Sequence, residues 1–147
     1  MKGAAFTMAC ISAAQNSSID MLMYYDTRPG MWCGIFEYYT HATLKGYYPM
    51  MWYGKFYDMQ YMTYAKNEID GIYSLCSVDK NGKSLTMLTY YSDEDNAPSR
   101  QIKLELGKTA EYEVYVVDGE HDGECIGTLT ELQFDLAVHT CLLIKEK

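Results

Sequence analysis

Tyr24, Tyr25, Asp26, Arg28 and Trp32 fall within nine consecutive positions, and their types could do chemistry together. Two phenols and an indole offer flat apolar faces, Asp26 offers an acceptor, and Arg28 offers a planar fork of donors. That mixture suits holding a polar ligand against a ring. Breaking a bond with carboxylates would need a second acid placed opposite the first. Only Glu37 follows nearby, and nothing in the spacing makes a pair of it with Asp26.

The elements that must position these residues can be read outward from them. Met21-Leu22-Met23-Tyr24-Tyr25 is apolar without alternation, which predicts a strand covered on both faces, as in a parallel sheet. Asp26, Thr27 and Arg28 then arrive together and Pro29-Gly30 predicts a turn. In parallel α/β folds ligands sit beyond the carboxyl ends of strands, so this junction is the expected site. Before it, Gly3 to Gln15 is rich in alanine and apolar on nearly every side, which predicts a helix buried by more than one partner. Asn16-Ser17-Ser18 ends that helix. A helix feeding a strand through so short a loop is the αβ half of a βαβ unit, and no strand precedes it, so the chain is expected to begin inside a larger fold. After the polar connection Thr40 to Thr43, Tyr48, Met51, Trp52, Phe56 and Met59 recur at steps of three and four. They predict an amphipathic helix within Leu44 to Met62, with Pro49 in its first turn and a cost of roughly 1 kcal/mol at Gly54 relative to alanine. Its methionine and aromatic stripe is read as core packing.

Near Lys66-Asn67-Glu68 the pattern changes from helical to alternating, and the domain boundary is placed there: 1–66 and 67–147. Ile72 to Val78 and Leu85 to Tyr91 read as strands joined by Asp79-Lys80-Asn81-Gly82, a strong hairpin signal. Ser92 to Ser99 is a polar loop. Ile102 to Leu106, Tyr112 to Val116, Leu132 to Leu136 and Cys141 to Ile144 supply further short strands, giving a small antiparallel β-sandwich. The fold class expected is therefore α+β.

Charge excludes some partners. Of the net −8, residues 1–66 carry five basic and four acidic side chains, and residues 67–147 carry seven basic and sixteen acidic. An acidic surface repels phosphate backbones and anionic lipid, so neither nucleic acid nor membrane is expected as a partner. Cys10, Cys33, Cys76, Cys125 and Cys141 are odd in number and widely spaced, and read as free thiols. His41, His121 and His139 lack metal-ligand spacing. Asp118, Glu120, Asp122 and Gly123 imitate the opening of a calcium loop, but Leu129 stands where a bidentate glutamate is needed and flanking helices are missing; the segment reads as an acidic turn. No phosphate loop, dinucleotide fingerprint or nucleophile elbow is present, and neither cofactor nor metal is expected.

Gly3-Ala4-Ala5-Phe6, Asp20 to Asp26, Gly34-Ile35-Phe36 and Leu44-Lys45-Gly46-Tyr47-Tyr48-Pro49 resemble the last part of a (β/α)8 glycoside hydrolase of the β-xylosidase type, glycoside hydrolase family thirty-nine and its relatives. Val117 to Asp122 and Leu142-Leu143-Ile144 are similar to the β-sandwich appended to such barrels. The resemblance implies a helix-strand-helix remnant of the barrel followed by the sandwich. It also implies that the acid/base and nucleophile glutamates lie upstream, so this chain alone would be inactive. Tyr25 then matches an aromatic residue under the sugar. The apolar face of a pyranose packs on such a ring while polar side chains bond its hydroxyls. The implied partners are an oligosaccharide or glycoside and the missing N-terminal portion of the barrel. The alternative reading is a non-catalytic carbohydrate-binding or structural β-sandwich module.

Overall fold

The computed structural model describes residues 1–30 and 34–147. Two helices and an antiparallel sheet make it an α+β fold. Helix α1 (Lys2–Gln15) comes first, and α2 (Tyr47–Gly54) runs into a 3-10 turn (Lys55–Asp58). Among the described residues eight strands follow: β1 (Tyr61–Thr63), β2 (Ile72–Val78), β3 (Ser84–Tyr90), β4 (Arg100–Lys103), β5 (Tyr112–Val117), β6 (Asp122–Leu129), β7 (Gln133–Leu136) and β8 (Cys141–Glu146). Six of them form one sheet in the order β1-β2-β3-β8-β5-β6, and β4 pairs with β7 in a separate ribbon.

Period-two patterning sends alternate side chains of the sheet into two cores. On one face Leu75, Leu85, Met87, Val117, Cys141 and Leu143 pack against Ala4, Ala5, Met8 and Ile11 of α1 and against Trp52 and Phe56. On the other, Leu88, Tyr90, Val114, Val116, Leu142 and Ile144 pack against Ile102, Leu132 and Leu136 of the ribbon and its flank. The sheet is thus the middle of three layers. β3, at its centre, is buried at every residue, which is why Ser84 to Tyr90 carries almost no charge-bearing alternation.

The hairpin between β2 and β3 forms where the Asn-Gly signal predicts it. Asp79 accepts from the backbone N–H groups of Asn81 and Lys83 at 2.8 Å each, and Gly82 takes the positive φ of 77° that the turn requires. α2 is shorter than the Leu44 to Met62 periodicity implies. Its regular turns stop at Gly54, and Met59 is already extended with ψ 135°. The larger correction concerns Met21 to Tyr25, which forms no strand. Met21, Met23 and Tyr25 are 74%, 81% and 83% exposed. A continuous apolar run becomes a two-sided strand only where other layers cover both of its faces; this one lies on the surface. Two strands went unforeseen, β1 and β6. The latter is acidic, exposed along most of its length and interrupted by Gly123 and Gly127 at φ 85° and 151°. Among the described residues no helix is long and apolar enough to cross a membrane.

Candidate functional site

The segment after α1 doubles back along that helix without joining the sheet. Between them lies an open apolar cleft of about 480 Å³ whose walls include Phe6, Cys10, Met21, Met23, Met50 and Tyr53. Tyr24 and Tyr25 line the same cleft, Tyr24 41% exposed and Tyr25 almost fully so. Burial pushes the Cys10 thiol up, so it stands in the wall as a neutral group.

Asp26 ends the run with a positive φ of 68°. Its carboxylate accepts from Arg28 Nε and from the second guanidinium nitrogen at 2.8 Å each, and from the Arg28 backbone N–H at 3.2 Å. The Asp26 side chain is 7% exposed while that of Arg28 is 71% exposed, so the pair shows its cation to solvent and hides its acid. The guanidinium bonds hold the Asp26 carboxyl below its usual range. Asp26 is therefore the brace of a turn that displays Arg28. Two residues on, Gly30 has φ 72°, and a Cβ there would come within 2.4 Å of the Tyr38 ring. Trp32, the fifth member of the expected constellation, lies outside the described residues, as do Met31 and Cys33.

A small turn structure follows, closed by an isolated bridge between Phe36 and Thr43. Glu37 serves its loop. One carboxylate oxygen accepts from the backbone N–H groups of Tyr39 (2.8 Å) and Thr40 (2.6 Å) and from the Thr40 hydroxyl (2.9 Å). The Thr40 bonds hold Glu37 below the usual carboxylate range. Both acids near the aromatic run are thus ionised and engaged in local turns. What the arrangement offers chemically is rings and a guanidinium, a recognition surface. Tyr38 and Tyr39 meet edge to face at 4.9 Å and are 60% and 85% exposed. They extend that surface, and the sequence reading missed them although they follow directly on Gly34 to Glu37.

The acidic turn behaves as expected of a turn. Asp118 accepts from the backbone N–H groups of Glu120 and His121 and contacts His121 Nδ1, all within 2.9 Å. Lys45 reaches across to donate to the His121 carbonyl at 3.0 Å and to Asp122 at 2.6 Å, tying the aromatic region to the β5–β6 hairpin. Gly123 makes room there, because a Cβ would sit 2.3 Å from the Tyr48 ring. Among the described residues no group of three or more His, Cys, Asp or Glu side chains could hold a metal ion. His139 is a buried turn residue at φ 66°, with Nε2 at 2.8 Å from the Ser92 carbonyl.

No protein-family pattern matches the chain, and no curated protein matches it. Solved structures do resemble it in shape. A glycoside hydrolase family 30 subfamily 8 xylanase from Clostridium acetobutylicum superposes with a TM-score of 0.73 at 12% identity, covering 99% of this chain and 39% of the xylanase. A family 30 endoxylanase from Clostridium papyrosolvens C71 superposes with a TM-score of 0.68 at 11% identity, covering 100% of this chain and 39% of that enzyme. The chain thus spans about two fifths of the length of each. The fold is glycoside-hydrolase-like, and the two structures that carry this likeness are family 30 xylanases; they do not support the narrower resemblance to the family thirty-nine β-xylosidases.

Proposed function

We propose that this chain is the C-terminal section of a barrel-and-sandwich glycoside hydrolase acting on O-glycosidic bonds of a xylose-containing substrate. In this reading residues 1–66 are the end of the barrel domain and residues 67–147 are its β-sandwich. Tyr24, Tyr25 and Arg28 stand on the rim of the sugar site, and Asp26 holds the turn that presents Arg28. The reacting acids are supplied by the remainder of the enzyme, so the chain supplies the rim and the supporting sandwich but by itself does not cleave. The observation that carries the reading is the superposition of two xylanases on essentially all of this chain.

The exposed apolar run supports the same reading. Ile19, Met21, Leu22, Met23 and Tyr25 are all more than half exposed on one short segment, more apolar surface than a free-standing domain ordinarily leaves in water. A barrel portion of the same enzyme would cover it. The test is complementation: the chain is mixed with the polypeptide encoded directly upstream, and hydrolysis of an aryl xyloside and of xylan is followed. No turnover by either part and turnover by the mixture is the expected result. Turnover by this chain alone overturns the assignment of the reacting acids to the other part. No turnover by the mixture, from a chain that is a stable monomer, would favour the non-catalytic binding module instead.

A further inference from the structure

The sheet face that meets the β4–β7 ribbon is covered unevenly. Where the ribbon lies over it, the side chains are Leu88, Tyr90, Val114, Val116, Leu142 and Ile144. Towards the β1 edge the same face changes character. β1, β2 and β3 are in register there, with Thr63 opposite Cys76, Cys76 opposite Thr86, and Ser74 opposite Leu88. The floor becomes Thr63, Ser74, Cys76, Ser84 and Thr86, which are small and mostly hydroxyl-bearing. Over this floor lies a cleft of about 680 Å³, walled on one side by Leu104 to Lys108 and on the other by Tyr64 to Lys66. It is larger than the apolar cleft beside α1 and lies on the opposite face of the sheet.

Three features of the cleft specify a ligand chemistry. First, the floor carries the hydroxyls of Thr63, Ser74, Ser84 and Thr86, the last two buried. Thr86 is satisfied by Cys76 at 3.1 Å and the Ser84 hydroxyl by Glu146 at 3.1 Å, so these two are fixed, whereas Thr63 and Ser74 reach solvent. Second, Tyr64 stands at the rim with its side of the cleft open, 84% exposed, a flat apolar face beside hydroxyls. Third, the lysines around it are neutralised in place: Lys66 by Glu68 at 2.6 Å, Lys103 by Glu105 at 2.8 Å and Lys108 by Glu146 at 2.7 Å. A cleft of balanced charge, with hydroxyls below and a ring at the lip, suits a neutral polyhydroxylated chain rather than a phosphate, an acidic peptide or a lipid.

We propose that this cleft is a second oligosaccharide-binding site, away from the Tyr24–Arg28 rim and without a reaction of its own. The identification of the ligand as a saccharide rests on the reading of the chain as part of a carbohydrate-active enzyme. A site of this kind holds a polymer to the enzyme while another stretch of the same polymer is processed, and raises its local concentration by tethering.

The probe is xylohexaose titrated into the full chain, followed by amide and tyrosine-ring chemical shifts. Shifts are expected at Thr63 to Lys66, Ser74 and Leu104 to Lys108. Tyr64→Ala, at an exposed position, should weaken the binding about tenfold or more. Ser74→Phe, which fills the floor, should abolish it, with the β3 and β8 amide pattern serving to show that the sheet is intact. Tyr25→Ala should leave these shifts unchanged, as should raising the salt from 50 to 500 mM on the order of magnitude set by charge screening. Shifts confined to Tyr24 to Arg28, or wild-type affinity in Tyr64→Ala, overturn the second site and leave the proposed function standing. Absence of any binding likewise overturns the second site alone, because the proposed function is tested by complemented turnover.

Discussion

Residues 1–66 and residues 67–147 use their apolar side chains in opposite ways. Of the eighteen large hydrophobic residues that are exposed among the described residues, fifteen belong to the first region and three to the second. The first region also supplies Ala4, Ala5, Met8, Ile11, Trp52 and Phe56 to the core on the sheet. It is therefore attached by one side and bare on the other. The second region places its leucines, valines and isoleucines on both faces of the sheet and leaves most of its sixteen acids towards solvent. The difference teaches that apolar content alone does not forecast burial. What decides is whether a second layer exists to receive each face.

The contrast can be broken most forcibly at its joint. Trp52 is fully buried between α2 and the sheet, and Trp52→Ala should cost about 3–5 kcal/mol by lost contact and a residual cavity. Denaturant unfolding should show this as a lower midpoint. If the midpoint holds while helical signal falls, the two regions unfold separately and the shared core contributes little.

A middle-sized effect probes the second region. Glu146 is 10% exposed, and its carboxylate meets Lys108 at 2.7 Å and the Ser84 backbone N–H at 2.8 Å. Burial pushes its pKa up, but the Lys108 and Ser84 bonds outweigh burial and leave it below the ordinary value. A carboxyl depressed on folding adds stability above its unfolded pKa of about 4.3, and that stability is lost as pH falls through the folded value. Glu146→Gln should therefore destabilise by about 1–2 kcal/mol at neutral pH. The gap from wild type should close as the buffer is taken down through and below pH 4, as followed by thermal melts. A gap that is independent of pH would remove the charge from the explanation.

The smallest effect on stability sharpens the contrast from the other side. Met21→Ser with Met23→Ser, at positions 74% and 81% exposed, should alter stability by no more than about 0.5 kcal/mol. The same change should reduce binding of a hydrophobic dye markedly, and a large loss of stability would mean that the run is covered after all.

The hairpin Ile72 to Tyr90 was legible to within a residue at each end, because alternation and the Asp79-Lys80-Asn81-Gly82 turn are local signals that agree. β5, β7 and β8 were legible from alternation, whereas β4 runs over Arg100–Lys103 and only its end overlaps the expected Ile102 to Leu106. β6 was not, because Gly123, Gly127 and two acids hide its pattern, and its pairing with β5 shifts register at Val114/Tyr115 and again at Val116/Val117. Such an irregular, acidic outer strand also resists pairing with another chain. Around the candidate site, the sequence identified the rings at Tyr24 and Tyr25 and the charges at Asp26 and Arg28 but not their arrangement. An aspartate two residues before an arginine in a left-handed turn closes on itself, and only geometry distinguishes that from two side chains reaching for a ligand. The run Met21 to Tyr25 was misjudged for a non-local reason. Whether an apolar stretch becomes a strand depends on backbone partners that its own residues do not encode.

β8 is the last of the eight strands along the chain, yet it is hydrogen-bonded to β3 on one side and β5 on the other. Every earlier strand of the six-stranded sheet can form a hairpin as it is made, β2 with β3 and β5 with β6, but the two hairpins remain separate sheets with open edges until Cys141 to Glu146 is inserted between them. The keystone is thus made after both of the hairpins it joins. Until then both cores stay incomplete, so a ribosome-bound chain with β8 still in the exit tunnel holds two sticky half-sheets in need of shelter.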